Sequence, residues 1–309
     1  MRAADWDPAA LPSQSGRTIL ITGSTSGLGY AAARALSKAG AKMVLAARNE
    51  EKGQRAVEEL LQTVPGANVR FMDLDTSSLD SVKAFCGDWA ASGGEIDCLI
   101  LNAGISNVPR REVSADGFER QLATNYLGHF AMTGLLLPYM RRSPDTRIVI
   151  QASLSHKRTQ LHFDDLQLEN SYSPMVAYSQ SKLAMLTFAF ELSRRLQDTG
   201  SEIRAIPVHP GVAATEITRG GDRANPIVRR FAKTMFGLMG QSPDEGAWPM
   251  LYAATSPKAE SGVYYGPSGP GERKGLPDEA AAAPYAKDEA NARMLWEISE
   301  ELTGVRYLS

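Results

Sequence analysis

Cysteine is nearly absent. Cys86 and Cys98 are the two cysteines of the chain, and both sit in otherwise apolar segments. Such residues read as free, buried thiols in a reducing compartment, so a cytoplasmic protein is expected. No Cys/His spacing offers a zinc site, and His129, His156, His162 and His209 form no i, i+4 pair, so no metal is expected. No run of about 18 apolar residues occurs, which excludes a membrane span. Charge of one sign is also lacking. With 33 Lys and Arg against 35 Asp and Glu, the net charge of −2 speaks against nucleic acid or an anionic membrane as the main partner. Residues 1–16 lack the apolar stretch of a signal peptide or anchor and read as a lead-in that packs on the surface at most. Internal repeats and long low-complexity segments are missing as well.

What is present is an alternation of short apolar runs with helical stretches. Strands are expected at 18–22, 42–46, 68–72, 97–101, 147–152, 202–208 and 263–265. Helices are expected at 28–39, 50–63, 78–91, 117–141 and 176–197. The strands are continuous apolar runs, as when helices cover both faces. The pattern predicts an α/β fold with a doubly wound, mostly parallel sheet of about seven strands. One domain is expected over 17–304, its cofactor-binding part at 17–152 and its catalytic and substrate part at 153–304.

The first turn reads Gly23-Ser24-Thr25-Ser26-Gly27-Leu28-Gly29, after a strand and before a helix. Gly23 allows a tight turn, Gly27 lets the backbone approach a pyrophosphate, and Gly29 lets helix and strand pack closely. The helix N-terminus then presents N–H groups to phosphate. The second strand ends in Ala46-Ala47-Arg48-Asn49, with no carboxylate for ribose hydroxyls. Arg48 can pair with a 2′-phosphate, so NADP(H) is expected, with NAD(H) the weaker alternative. Asp73-Leu74 after the third strand suits an adenine edge. Asn102-Ala103-Gly104 ends the fourth strand, at the edge where such sheets bind ligands.

Tyr178 and Lys182, four residues apart on a helix, share one face. A free tyrosine has a pKa of about 10, and a neighbouring ammonium would lower it toward useful proton exchange. Lys182 can also hold nicotinamide ribose hydroxyls. Ser153, after the fifth strand, can hydrogen-bond a substrate oxygen. Asn125, an amide in an apolar helix, needs partners and could hold a water that relays protons from Lys182.

These residues resemble the classical short-chain dehydrogenase/reductase superfamily over about 17–304. The motifs are Thr22-Gly23-x-x-x-Gly27-x-Gly29, Asn102-Ala103-Gly104, Asn125, Ser153, Tyr178-x-x-x-Lys182 and Pro210-Gly211. The resemblance implies a Rossmann fold and a proton relay through Asn125, Ser153, Tyr178 and Lys182. It also implies that the segment Pro210-Gly211-Val212 closes over the nicotinamide, with Thr215 touching it. In the family the helices bearing Asn125 and Tyr178 often form dimer faces, which implies a homodimer or homotetramer. Ala47-Arg48-Asn49, residues 125–130, the long gap between Ser153 and Tyr178, residues 156–166 and Leu295-Trp296 are similar to the branch of the retinol dehydrogenases, the WW-domain oxidoreductase and the protochlorophyllide reductases. Leu101 and Ala152 stand where that branch usually has Asn and Ser.

Residues 212–249 depart from the alternation. Met235 belongs to an apolar face there, and a mobile substrate lid is expected. Leu154, Met175, Val212 and Trp248 are candidate pocket walls, and a small apolar carbonyl or alcohol is the expected substrate. The leading function is an NADP(H)-dependent carbonyl reductase or alcohol dehydrogenase. A non-catalytic dinucleotide-binding sensor or scaffold and a light-driven pigment reductase are the alternatives.

Overall fold

The computed structural model describes residues 6–212 and 241–308. One eight-stranded sheet runs through them in the order β3-β2-β1-β4-β5-β6-β7-β8. Strands β1 (Thr18–Thr22), β2 (Lys42–Ala47), β3 (Asn68–Asp73), β4 (Cys98–Leu101), β5 (Arg147–Gln151), β6 (Arg204–Val208) and β7 (Tyr265–Pro267) are parallel to their neighbours. The expected parallel strands are therefore all present. The addition is β8 (Pro277–Glu279), a short antiparallel edge strand on β7. Its proline has no N–H to donate, which an edge tolerates.

The apolar runs are explained by two covered faces. Ile19 and Ile21 point to one cluster and Leu20 to the other; Ile100 and Val149 likewise oppose Leu99, Ile148 and Ile150. On one face lie α1 (Gly27–Lys38), α2 (Glu50–Thr63) and α6 (Pro243–Thr255). On the other lie α3 (Leu79–Ser92), α4 (120–136), α5 (Pro174–Asp198) and α7 (Glu289–Thr303). Every residue of such a strand meets helix, so none needs to be polar.

Helix α4 departs from the single long helix expected over 117–141. It begins at Arg120–Leu122, widens into a π-helical turn at Ala123–Leu127, continues as Gly128–Leu136 and ends in a 3-10 turn, Leu137–Tyr139, that contains Pro138. Helix α5 starts two residues earlier than expected because Pro174 takes the first-turn position its ring favours.

Helix α6 was not expected. A capping box between Ser242 and Glu245 starts it, and Ala247, Met250, Leu251 and Tyr252 bury against the sheet. Residues 243–249 thus belong to the body, while 213–240 of the expected lid lie outside the described residues. The lead-in is fastened more firmly than expected: Gln14 N donates to Ala39 O at 2.7 Å, and Trp6 meets Tyr252 edge to face.

Helix α7 covers the apolar sides of α4 and α5. Phe130 and Trp296 ring centroids lie 5.1 Å apart, Phe188 stacks on Trp296, and Tyr307 Oη donates to Phe130 O. A dimer through those sides would have to displace Trp296 and Tyr307. Among the described residues no helix is long and apolar enough to cross a membrane.

The sheet order reverses between β1 and β4. Sheets of this kind bind ligands beyond the carboxyl ends of the strands at such a reversal, and most of the residues singled out in the sequence lie at that edge.

Candidate active site

The turn after β1 is tied to the end of β4. Thr22 Oγ1 accepts the N–H groups of Asn102 and Ala103, each at 2.9 Å, and Asn102 Nδ2 donates to the carbonyls of Thr22 and Gly23. Asn102 and Ala103 therefore shape the turn from below. A Cβ on Gly29 would come 2.4 Å from Gly23 O, so only glycine lets α1 start this close to the strand.

The start of α1 is suited to phosphate. Asn49 and Ser78 cap α2 and α3 with their side chains, whereas no side chain caps α1 and its first turn carries no acid. Ser24 Oγ is buried in the turn without a hydrogen-bond partner among the described residues. A positive dipole end and a buried hydroxyl with no partner among the described residues match a dinucleotide's pyrophosphate. Ser24, Thr25, Ser26, Gly27 and Leu28 all lie on this turn, with Leu28 already buried in the helix.

Arg48 is exposed just beyond β2, and Gly23 N donates to Ala46 O, which holds the phosphate turn close to that strand end. Asn49 is occupied as the cap of α2, its Oδ1 accepting from Lys52 N at 2.8 Å. Asp73 is exposed at the end of β3, and Leu74 is buried with its N–H on Ala47 O.

Ser153 ends the fifth strand's extension and caps a short 3-10 turn, Leu154–Arg158, with Oγ accepting from Ser155 N. Its hydroxyl also lies close enough to the Tyr178 phenol to favour the ionised form. Burial pushes the Tyr178 phenol above its ordinary value, and the nearby Ser153 hydroxyl works in the other direction. Lys182 is buried, and burial pulls it down to about 8. Its Nζ donates to Gln151 O at 2.9 Å. The Lys182 ammonium is engaged by a strand carbonyl, and burial is the largest influence on the Tyr178 phenol.

Asn125 is fully buried in the π turn. Its Oδ1 accepts from Ile105 N at 2.7 Å, and its Nδ2 donates to Ile105 O and to Ser181 Oγ, which in turn donates to Tyr178 O. Both amide hydrogens are spent, so a water against this side chain would use the second lone pair of Oδ1. Gly104 lies between the two polar groups: a Cβ there would sit 3.2 Å from Asn125 Oδ1 and 3.4 Å from Lys182 Nζ.

The Pro210–Gly211–Val212 turn is fixed by Gln241, whose Nε2 donates to Pro210 O and whose N–H donates to Val212 O. Leu154 is partly buried beside Ser153. Met175 is exposed at the start of α5, its sulfur near Arg158 Nη1. Trp248 is not brought to this edge: it packs with the α1 and α6 cluster on the other face of the sheet. Thr215 and Met235 lie outside the described residues.

Three histidines that seemed scattered belong to this neighbourhood. His129 bonds Thr22 Oγ1 and Asn125 O, His156 Nδ1 donates to Ser153 O, and His209 Nδ1 accepts from Gly211 N. The sequence signal was their position beside a motif, four residues after Asn125, three after Ser153 and directly before Pro210, rather than any spacing among themselves. Among the described residues no group of three or more His, Cys, Asp or Glu could hold a metal ion.

Residues 17–225 match the model of the short chain dehydrogenase family. The chain is 38% identical over 306 residues to polyprenol dehydrogenase of Mus musculus, covering 97% of this chain and 88% of that protein. It is 36% identical to retinol dehydrogenase 14 of Homo sapiens, covering 94% and 87%. Among solved structures, an uncharacterized protein from Mycobacterium paratuberculosis superposes with a TM-score of 0.79 at 36% identity, over 98% of each chain. L-sorbose reductase from Gluconobacter frateurii, solved with NADPH and L-sorbose, shares the fold at 22% identity, with a TM-score of 0.66 over 82% of this chain and 96% of that one. The chain is an oxidoreductase of the short-chain dehydrogenase family, in its retinol-dehydrogenase-like branch.

Proposed function

We propose that the protein is an NADP(H)-dependent carbonyl reductase or alcohol dehydrogenase acting on an apolar substrate. The observation that carries this reading is the placement of Ser153 beside the Tyr178 phenol, with Lys182 one helical turn on and its Nζ on Gln151 O, at the same sheet edge as the start of α1. When bound, the nicotinamide supplies or accepts the hydride. The chain's residues do the rest. The Ser153 hydroxyl orients and polarises the substrate oxygen. Tyr178 Oη gives the proton to that oxygen in reduction and takes it back in oxidation. Lys182 holds ribose hydroxyls and places its cation near the phenol, and Asn125 braces the loop at Ile105 and the helix turn at Ser181.

Arg48 supports the choice of NADP(H): it is exposed beyond β2, where no carboxylate competes for the ribose. The expectation of an apolar substrate rests on the relatives named for polyprenol and retinol, both apolar alcohols. A cytoplasmic setting is part of the same proposal and rests on two free, buried thiols.

The test is NADPH oxidation followed at 25 °C with a panel of isoprenoid aldehydes, retinal, ketones and polar sugars. Turnover with the apolar carbonyls and little with the sugars is expected. NADPH binding without turnover of any carbonyl would favour the non-catalytic reading instead, and pigment reduction confined to illuminated samples the light-driven one.

A further inference from the structure

The Pro/Gly-rich stretch after β7 is not a plain surface loop. Residues 266–285, from the end of β7 to beyond β8, form a strap that touches both arms of the candidate site. One arm is the turn following Ser153, and the other is the His209–Val212 turn. On the first arm, Ala283 N donates to His156 Nε2 and Tyr285 Oη to His156 O, while His156 Nδ1 donates to Ser153 O at 2.6 Å. On the second, Val212 N donates to Arg273 O, and a Cβ on Gly266 would lie 1.9 Å from His209 Nε2.

Glu272 joins the two. Its Oε2 accepts from Lys157 Nζ at 3.0 Å and lies 3.4 Å from His209 Nε2, and its Oε1 accepts from Ala281 N at 2.9 Å. The tautomer of His209 follows from its other nitrogen. Nδ1 accepts from Gly211 N, so the proton sits on Nε2 and faces the carboxylate. The ring is fully buried and its Nε2 makes no regular hydrogen bond among the described residues, so the Glu272 carboxylate at 3.4 Å is the charge that offsets this N–H. Glu272 itself adopts φ +56, a left-handed backbone that a glutamate does not favour and that its bonds hold in place. The close approach of His209, and then the bonds from Ala281 and Lys157, keep its carboxyl at about 2 against the opposing effect of burial.

We propose that Glu272 is a positioning residue for the nicotinamide half of the bound dinucleotide, tying the Ser153 turn, through Lys157, to the His209–Val212 turn. The inference rests on the cofactor reading above, in which Pro210, Gly211 and Val212 close over the nicotinamide and Ser153 faces the reacting oxygen. An exposed Glu–Lys pair alone would contribute little. The convergence on a buried histidine makes Glu272 matter for the shape of one turn rather than for the whole fold.

The experiment measures the affinity of two ligands by calorimetry: NADPH, and adenosine 2′,5′-bisphosphate, which lacks the nicotinamide half. Glu272→Ala is expected to weaken NADPH about tenfold or more and to leave the fragment within about twofold. Glu272→Gln, which keeps an acceptor oxygen for His209, is expected to recover most of the loss. An unchanged NADPH affinity in Glu272→Ala, or an equal loss for both ligands, would overturn the proposal. Should Glu272→Ala fail to fold, Lys157→Met removes one tie at a half-exposed side chain. NADPH weakened about threefold with the fragment unchanged supports the proposal, and unchanged NADPH overturns it. If the wild type binds neither ligand, the cofactor reading itself fails.

Discussion

His129 Nε2 lies 2.9 Å from Thr22 Oγ1, while its Nδ1 lies 3.0 Å from Asn125 O. One buried imidazole therefore links the strand that opens the phosphate turn to the π turn beneath Lys182. Thr22 Oγ1 already accepts two backbone N–H groups, so its own hydrogen goes to His129 Nε2, and Nδ1–H goes to Asn125. Replacing His129 by Phe fills the space but leaves the Thr22 hydroxyl and the Asn125 carbonyl without this partner. We expect a loss of about 1–3 kcal/mol in denaturant unfolding and a weaker cofactor affinity. Wild-type stability in His129→Phe would sink this account.

His129 and His156 are each pushed down from 6.5 to about 4, chiefly by burial, and His209 is lowered for the same reason. Between about pH 6.5 and pH 4 the unfolded chain binds protons at these rings that the folded chain refuses. Stability is therefore full above that window and falls as the pH drops through it, by up to roughly 3 kcal/mol for each of the first two rings. Calorimetric melting across pH 4–8 should show this slope, and His129→Phe should make it shallower by about one proton. A slope unchanged in the variant would contradict the assignment.

Lys182 is a buried cation whose one described protein hydrogen bond is to Gln151 O, and burial pulls it down to about 8. Lys182→Met removes that desolvation penalty. The variant should melt several degrees higher at pH 7 and turn over at least about a hundredfold more slowly. A lower melting temperature would show that the ammonium stabilises the fold.

Tyr178→Phe should cut turnover by about a hundredfold to ten-thousandfold while NADPH affinity stays nearly constant. Full activity in this variant would remove Tyr178 from the proposed proton transfer.

Arg48→Ala should raise the Michaelis constant for NADPH about tenfold and leave that for NADH unchanged. Equal effects on the two would refute the 2′-phosphate assignment.

The sheet was legible because burial on both faces turns each strand into a continuous apolar run, as Thr18–Thr22 and Cys98–Leu101 show. Strand β8 was not, since three residues beginning with proline at an edge carry no such run. Nor was α6: Pro249 inside it reads as an interruption, and the capping box that starts it is a local signal easily missed. The π turn left no mark because widening a helix by one residue changes hydrogen bonds, not composition. Tyr178, Lys182, Ser153 and Asn125 were legible as residue types placed on particular elements. Their partners were less so, because Gln151 O, Ile105 N and Ile105 O are backbone groups that any residue carries. Glu272 had no signal at all, lying in a glycine- and proline-rich stretch and acting at a distance in sequence from Lys157 and His209.

Helix α7 and the residues up to Tyr307 close the aromatic cluster of Tyr126, Phe130 and Phe188. A ribosome makes those covering residues more than 100 positions after the cluster they cover. Until residues 289–308 emerge, a nascent chain with its sheet already paired would carry an open aromatic cleft along α4 and α5, the kind of surface that invites aggregation or a chaperone. Substitutions at Trp296 or Tyr307, which take no part in the proposed chemistry, would then show themselves first in the yield of soluble protein rather than in its rate.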